Sequence, residues 1–99
     1  MTLGARGEDV AADYMRENGY RVIERNWRCK SGELDLVCTR GKDLIFVEVK
    51  TRGKSSLGRA GESLAPVQQA RLAKAASQYL SRNGLWSRNC RFDLIALEV

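Results

Sequence analysis

Two segments of this 99-residue chain place charged side chains where strand-like apolar residues would be expected. In "GELDLVC" Glu33 and Asp35 alternate with leucines, and in "LIFVEVKTR" Glu48 and Lys50 follow an apolar run. Paired carboxylates can hold a hard divalent cation, and a lysine can position or deprotonate a water or stabilise charge on an attacked phosphate. These residue types together favour phosphodiester hydrolysis.

The two segments would bring their charges together if they formed a hairpin with Gly41-Lys42 at its tip. Asp35 would then face Glu48, with Cβ atoms roughly 4.5 to 5.5 Å apart. Two carboxylates at that distance repel by roughly 3 kcal/mol at an effective dielectric near 20, so something must compensate. The candidates are protonation of one carboxylate, the cationic residues nearby, or a divalent cation.

A divalent cation would find a partial cage of oxygen ligands in this hairpin. Asp35, Glu48 and the backbone carbonyl of Val49 would supply them, and magnesium commonly uses one or two carboxylates while keeping several waters. The alternative is an exposed sheet face with ordinary salt bridges, Glu33 to Lys50 and Asp35 to an arginine. Periodicity alone leaves both interpretations open.

The segment "GEDVAADYMREN" has the apolar spacing of a helix over residues 7–18. Glu8 falls on or beside its inward face and could add a metal ligand or orient a water. The alternative is a first-turn carboxylate that the helix dipole favours.

The remaining patterns predict one α/β domain over residues 1–99, with a mixed β-sheet flanked by helices. Strands are expected in "YRVIERNWR", "ELDLVC", "LIFVEVK" and "CRFDLIAL", and the longest helix is expected to begin at Pro66 and to end at Asn83-Gly84. The resulting order is α-β-β-β-α-β. The segment "TRGKSSLGRAGES" reads as a basic loop with a functional role.

Composition restricts the function classes. Seventeen Lys plus Arg against twelve Asp plus Glu give a net charge of +5, which favours an anionic partner such as nucleic acid. Histidine is absent, which removes imidazole bases and histidine-metal chemistry. Without a membrane-spanning run or a signal-peptide core, the protein is expected to be cytoplasmic. Its three cysteines are expected to be buried and reduced.

The spacing of the charged residues resembles a known nuclease core. Asp35, a spacer of twelve residues and Glu48-Val49-Lys50 resemble the D…ExK core of the PD-(D/E)xK nuclease superfamily, which includes archaeal Holliday junction resolvases. More closely, "ARGEDVAADYMRENGYRVIERNWR", "GELDLV", "FVEVKTR", "AASQYL" and "RFDLI" resemble the YraN-like family of bacterial proteins. That likeness covers nearly the whole chain.

The resemblance implies a restriction-endonuclease-like core that uses Mg²⁺ or Mn²⁺. Asp35 and Glu48 would be metal ligands, Lys50 the catalytic lysine, and Glu8 the counterpart of the resolvases' glutamate in the first helix. Nucleic-acid contacts are expected from Arg52, Lys54, Arg59 and Gln69, although relatives usually carry a lysine early in the long helix where this chain has Gln68-Gln69.

Three functions remain open at this level. The first is a metal-dependent DNA endonuclease acting on branched or repair intermediates, with homodimers as one way to cut two strands. The second is a nucleic-acid-binding module that keeps the nuclease-like fold without turnover. The third is an interaction protein whose basic surface meets an acidic protein, although an adaptor has no need for a converging acidic pair.

Overall fold

The computed structural model describes residues 3–52 and 65–98 as two helices and four strands. Their bounds are α1 Leu3–Glu17, β1 Arg21–Cys29, β2 Gly32–Arg40, β3 Asp43–Arg52, α2 Pro66–Asn83 and β4 Asn89–Glu98. The predicted order α-β-β-β-α-β is therefore confirmed. None of the helices described is both long and apolar enough to cross a membrane.

The strands form one mixed sheet in the order β1-β2-β3-β4. β1, β2 and β3 are antiparallel neighbours, whereas β4 runs parallel to β3. A parallel neighbour needs a crossover connection, and α2 lies on that connection between β3 and β4. The predicted mixed α/β architecture is confirmed.

The β2–β3 hairpin has the predicted tip, Gly41-Lys42. Arg40 pairs with Asp43, and Gly41 has a φ of 61°, a left-handed conformation that glycine adopts without steric cost. Positive φ at the first of two tip residues suits the twist of a tight hairpin. This turn fixes which side chains of the two strands share a face.

Each face of the sheet is covered by one helix. The cluster under α1 consists of Ala11, Ala12, Met15, Leu36, Cys38, Ile45 and Val47. The cluster under α2 consists of Leu34, Val37, Leu44, Phe46, Leu72, Ala75, Ala76, Tyr79 and Leu80. The two central strands are therefore buried on both sides, which holds their backbones in a fixed register.

Helix α2 begins and ends where the sequence predicts. Pro66 lies in its first turn, where a missing N–H costs nothing, and Gly84 closes it with a φ of 63°. The Gly84 and Leu85 N–H groups donate to carbonyls of the last turn. Trp27 packs edge-on against Tyr79 of this helix, with ring centroids 5.2 Å apart, which gives that tryptophan a packing role.

Three features differ from the sequence-based expectations. Helix α1 begins at Leu3 rather than near Gly7. β4 is an edge strand with Phe92 half exposed, not a strand covered on both faces. Of the cysteines, Cys38 is buried and its pKa is raised to about 11, chiefly by desolvation, but Cys29 is only partly buried and Cys90 is exposed.

Gly7 lies at a close approach between α1 and β3. Glycine weakens helices by about 1 kcal/mol relative to alanine. Gly7 is buried, however, and a Cβ added there would overlap the Oγ1 atom of Thr51 in β3. Packing of α1 against β3 therefore requires a residue without a side chain.

This close approach predicts that the effect of Gly7→Ala on the free energy of unfolding changes sign when Thr51 is also replaced. Gly7→Ala should lower the free energy of unfolding in the wild-type background because its methyl group meets the Thr51 hydroxyl. In a Thr51→Ala background the same substitution should stabilise by up to about 1 kcal/mol, since only the helix propensity gain is left. Urea unfolding of the four proteins measures both values. Equal destabilisation in both backgrounds would contradict this packing.

Candidate active site

Asp35 and Glu48 lie where β2 and β3 separate. Pairing of the two strands runs from Arg40 and Asp43 to Leu36 and Val47. Beyond that point β2 continues beside β1, and β3 continues beside β4 to the end of the strand. The next residues along the hairpin are Asp35 and Glu48, so the carboxylates lie at the inner end of the opening between the strands.

In this opening the Asp35 carboxylate accepts a hydrogen bond that a main-chain carbonyl would otherwise accept. Its Oδ2 atom accepts a hydrogen bond of 2.8 Å from the Val49 N–H, and the residue is only 7% exposed. In a continuing antiparallel ladder a main-chain carbonyl would accept from such an N–H. The side chain satisfies the donor instead, which keeps a buried carboxylate in place.

The position of Asp35 coincides with a break in strand alternation. Leu34 and Leu36 would share a face in a regular strand, yet Leu34 packs under α2 and Leu36 under α1. On β1, Arg25 pairs with Leu36 and Trp27 with Leu34, which leaves Asn26 opposite Asp35. Asn26 has a φ of 52°, and this local change of backbone direction accompanies the switch of face.

The Glu48 carboxyl has a strongly raised pKa. The pKa of Glu48 is raised from 4.5 to about 8, chiefly by burial and in addition by the hydrogen bond with Asp35 and the negative charge of Asp35. Lys50 acts in the opposite direction, and Glu33 adds a smaller upward contribution. A hydrogen bond between two carboxyl groups needs one proton, so the protonated Glu48 is the donor and Asp35 the acceptor.

Lys50 is on the same face of β3 as Glu48, because residues two apart along a strand point to the same side. Among the described residues Lys50 makes no ion pair with a carboxylate. The alternative interpretation had Glu33 bridged to Lys50, but Glu33 pairs with Arg28 on the neighbouring strand at 3.1 Å. Among the side chains that the structure describes, no arginine pairs with Asp35, which that interpretation also required.

A cavity of about 220 Å³ extends from Glu48 beneath the first turns of α2. Its lining residues are Leu34, Phe46, Val47, Glu48, Gln69, Leu72, Phe92, Asp93 and Leu94. Gln69 thus lies on the rim near the carboxylate, as a nucleic-acid contact would require. Asp93 is held by Arg91 at 2.8 and 3.0 Å, so it is a paired structural carboxylate.

The other predicted site residues are less closely connected to the pair. Glu8 is partly buried in α1, and the contact of Gly7 with Thr51 brings this part of the helix to the later part of β3. The role of Glu8 in orienting a water stays a prediction. Arg52 ends β3, whereas Lys54 and Arg59 lie outside the described residues.

The donor set fits a hard divalent cation with an open coordination shell. Two carboxylates are adjacent, and the Val49 carbonyl points to the same edge of β3 as the N–H that Asp35 binds, since both groups of one strand residue face one neighbour. Within residues 3–52 and 65–98 no third Asp, Glu or Cys completes a cluster. The remaining ligands would be waters and substrate oxygens, as magnesium favours.

One functional group escaped the sequence analysis, the Val49 N–H. Its carbonyl was expected as a ligand, but the N–H anchors Asp35 and so determines where the carboxylate oxygens point. A backbone donor leaves no sequence signal. The lone hint was Asn26, a residue type that tolerates positive φ, on the strand beside Asp35.

The fold and the site together define an α/β protein whose mixed sheet carries a carboxylate pair and a lysine at a strand opening. The model of the "Uncharacterised protein family UPF0102" matches residues 7–97, and the chain belongs to that family. It is 46% identical over 97 residues to a "UPF0102 protein" of Geobacter sulfurreducens, with 98% of this chain and 76% of the relative covered.

Two further relatives are similar to the same extent. A "UPF0102 protein" of Symbiobacterium thermophilum is 46% identical over 96 residues, covering 97% of this chain and 81% of the relative. Another of Moorella thermoacetica is 42% identical over 94 residues, covering 95% and 78%. These likenesses confirm the YraN-like family resemblance.

The raised pKa of Glu48 predicts how stability depends on pH. Its carboxyl has a pKa of 4.5 when unperturbed and about 8 in the folded protein. Between these values the folded protein holds a proton that the unfolded chain has released, so the free energy of unfolding should fall as pH rises through this window. Glu48→Gln should remove that fall, since an amide keeps a donor toward Asp35 and does not titrate.

Urea unfolding with EDTA between pH 5 and pH 8.5 provides the measurement, and the difference between wild type and Glu48→Gln is the quantity to plot. Glu17→Gln, at an exposed position of α1, is the control and should keep the wild-type profile. Parallel profiles for wild type and Glu48→Gln would show that the carboxylate titrates normally.

Proposed function

We propose that this protein is a divalent-metal-dependent endonuclease that acts on DNA. The observation that carries the proposal is the adjacency of Asp35 and Glu48 in the opening between β2 and β3, with Lys50 on the same face as Glu48. A sheet built for stability alone would place apolar residues there. Family membership supports the proposal through the resemblance to PD-(D/E)xK nucleases.

Each residue has a separate task in this proposal. Asp35, Glu48 and the Val49 carbonyl would hold Mg²⁺ or Mn²⁺, which supplies Lewis-acid polarisation of the scissile phosphate and lowers the pKa of a bound water. Lys50 stabilises the negative charge that develops on the phosphate. The Val49 N–H keeps the Asp35 carboxylate oriented. Gln69, at the cavity rim, contacts the substrate backbone.

DNA is proposed as the substrate because of charge and family resemblance together. The net charge of +5 favours a polyanion, and phosphate neutralisation supplies most of the non-specific affinity for nucleic acid. Branched or repair intermediates would be the preferred form, as in the resolvases. Two copies would be needed to cut two strands at once, which is why a homodimer stays part of the proposal.

Cleavage of duplex and branched oligonucleotides with Mn²⁺ tests the catalytic assignments. Asp35→Asn and Glu48→Gln should each abolish metal-dependent cleavage, because one carboxylate alone leaves the cation weakly held. Lys50→Ala should lower the rate by roughly 10² to 10³, the usual cost of losing one charge-stabilising group. Glu33→Gln is the matched control on β2 and should keep activity. Cleavage that survives both carboxylate substitutions would place the reaction elsewhere.

Calorimetric titration of Mn²⁺ separates metal binding from turnover. At pH 7 the wild type should release about one proton per ion, because the cation replaces the proton of the carboxyl pair. Titrations in two buffers of different ionisation enthalpy measure that number, first without and then with a short oligonucleotide. Asp35→Ala should abolish binding, and Glu48→Gln should abolish proton release. Binding that is unchanged in Asp35→Ala would exclude this metal site.

A nucleic-acid-binding module is the second candidate, favoured by the same basic charge. It predicts DNA binding that falls with salt and does not respond to metal, together with no cleavage. Metal-independent binding and absence of turnover in the two assays above would select it over the nuclease.

A further inference from the structure

The two helical layers carry charges of opposite sign. Helix α1 contains four acidic residues and two basic ones: Glu8, Asp9, Asp13 and Glu17 against Arg6 and Arg16. Helix α2, with 18 residues, contains Arg71, Lys74 and Arg82 and no Asp or Glu. The face of the sheet that α2 covers is therefore the basic one.

The three cations of α2 lie along one side of the helix, and we call them the α2 stripe. At about 100° per residue, Arg71, Lys74 and Arg82 fall within about 80° of one another. This side borders β1 and the β1–β2 turn. Arg71 is beside Gly32, and the Arg82 guanidinium lies 5.3 Å from the centroid of the Trp27 ring.

The α2 stripe has features that an ordinary solvated helix face lacks. Exposed helices usually alternate charges, since Glu and Lys four residues apart stabilise by a few tenths of a kcal/mol and like charges do the opposite. Arg71 and Lys74 are like charges three residues apart. Among the described residues no carboxylate forms an ion pair with either of them or with Arg82. A polyanion would remove this repulsion.

The α2 stripe lies on the same face of the sheet as the candidate active site. Glu48 lines the cavity beneath α2, and Lys50 shares its face. Arg71 contacts Gly32, which is three strand residues from Asp35, or about 10 Å at roughly 3.3 Å each. A strand lying along the stripe would therefore pass toward the carboxylate pair.

An exposed indole lies beyond the C-terminal end of the stripe. Trp86 is 60% exposed, and its Nε1 donates a hydrogen bond of 3.1 Å to the Ser81 hydroxyl. Ser81 is on the side of α2 that also carries Lys74. An anchored and exposed indole next to cations is the arrangement on which bases of single strands stack, and this favours nucleic acid over an acidic protein as the partner.

We infer that the α2 stripe binds the sugar-phosphate backbone of a single-stranded nucleic-acid segment and that Trp86 stacks on one of its bases. The destination of that strand, at Asp35 and Glu48, rests on the proposed nuclease function. The binding itself does not, because it needs neither metal nor turnover.

Salt-dependent binding of a fluorescent single-stranded oligonucleotide to Asp35→Asn protein tests the inference without cleavage. Arg71→Gln, Lys74→Gln and Arg82→Gln combined should reduce the slope of log K against log salt by about 2, at about 0.7 per phosphate contact. This corresponds to a loss of about 100-fold at 0.1 M salt. Trp86→Ala should weaken binding by roughly 5- to 100-fold without changing the slope.

The matched control removes three exposed cations away from α2, Arg6 and Arg16 of α1 and Arg21 at the start of β1, each changed to Gln. It changes net charge equally and should leave the slope near that of the parent protein. Because Arg82 contacts Trp27, Arg71→Gln/Lys74→Gln serves as a second variant that spares this contact, with an expected decrease of about 1.4.

Three results would distinguish the stripe assignment from the proposed hydrolysis. An unchanged slope in the triple variant, or an equal loss in the control, would overturn the inference. Loss of binding in the stripe variants together with a wild type that cleaves nothing would overturn the proposed hydrolysis and leave the stripe assignment standing. Normal cleavage by the wild type together with unaltered binding by the stripe variants would overturn the stripe assignment and leave the proposed hydrolysis standing.

Discussion

The close approach of Asp35 and Glu48 is the constraint on which the candidate site depends. Two carboxylates that are partly removed from water cannot both be charged without a large cost, and the raised pKa of Glu48 is the measure of that cost. A proton relieves it in the metal-free protein. In the proposed function a divalent cation would relieve it instead, with the Asp35 and Glu48 carboxylates as its ligands.

The hairpin and the two helical layers hold this pair in place. From Arg40 and Asp43 to Leu36 and Val47 the ladder is continuous, and a slip of one residue would turn the carboxylates to opposite faces. Such a slip would also move apolar side chains out of both cores, since β2 and β3 are buried under α1 and α2. Hydrophobic burial thus holds Asp35 and Glu48 next to each other, although their charged forms repel.

Much of this arrangement could be predicted from the sequence, because it depends on the alternation of side chains along a strand and on which residues form turns. Gly41-Lys42 fixed the register, and Pro66 and Gly84 marked the ends of α2. Features that depend on contacts between distant segments could not be predicted. The close approach of Gly7 to Thr51 is one, and the change of face between Leu34 and Leu36 is another. In each case a local rule, glycine's weak helix propensity or the alternation of side chains along a strand, gives way to contacts between distant segments.

The opening between β2 and β3 both holds the buried Asp35 carboxylate in place and leaves Glu48 facing a cavity. If the ladder continued past Leu36 and Val47, the Val49 N–H would be bonded to main chain and could not donate to the Asp35 carboxylate. Separation of the strands frees that N–H, and the Asp35 carboxylate accepts from it. The hydrogen bonds lost from the ladder are thereby partly replaced, and Glu48 lines a cavity beneath α2, the helix that carries basic side chains.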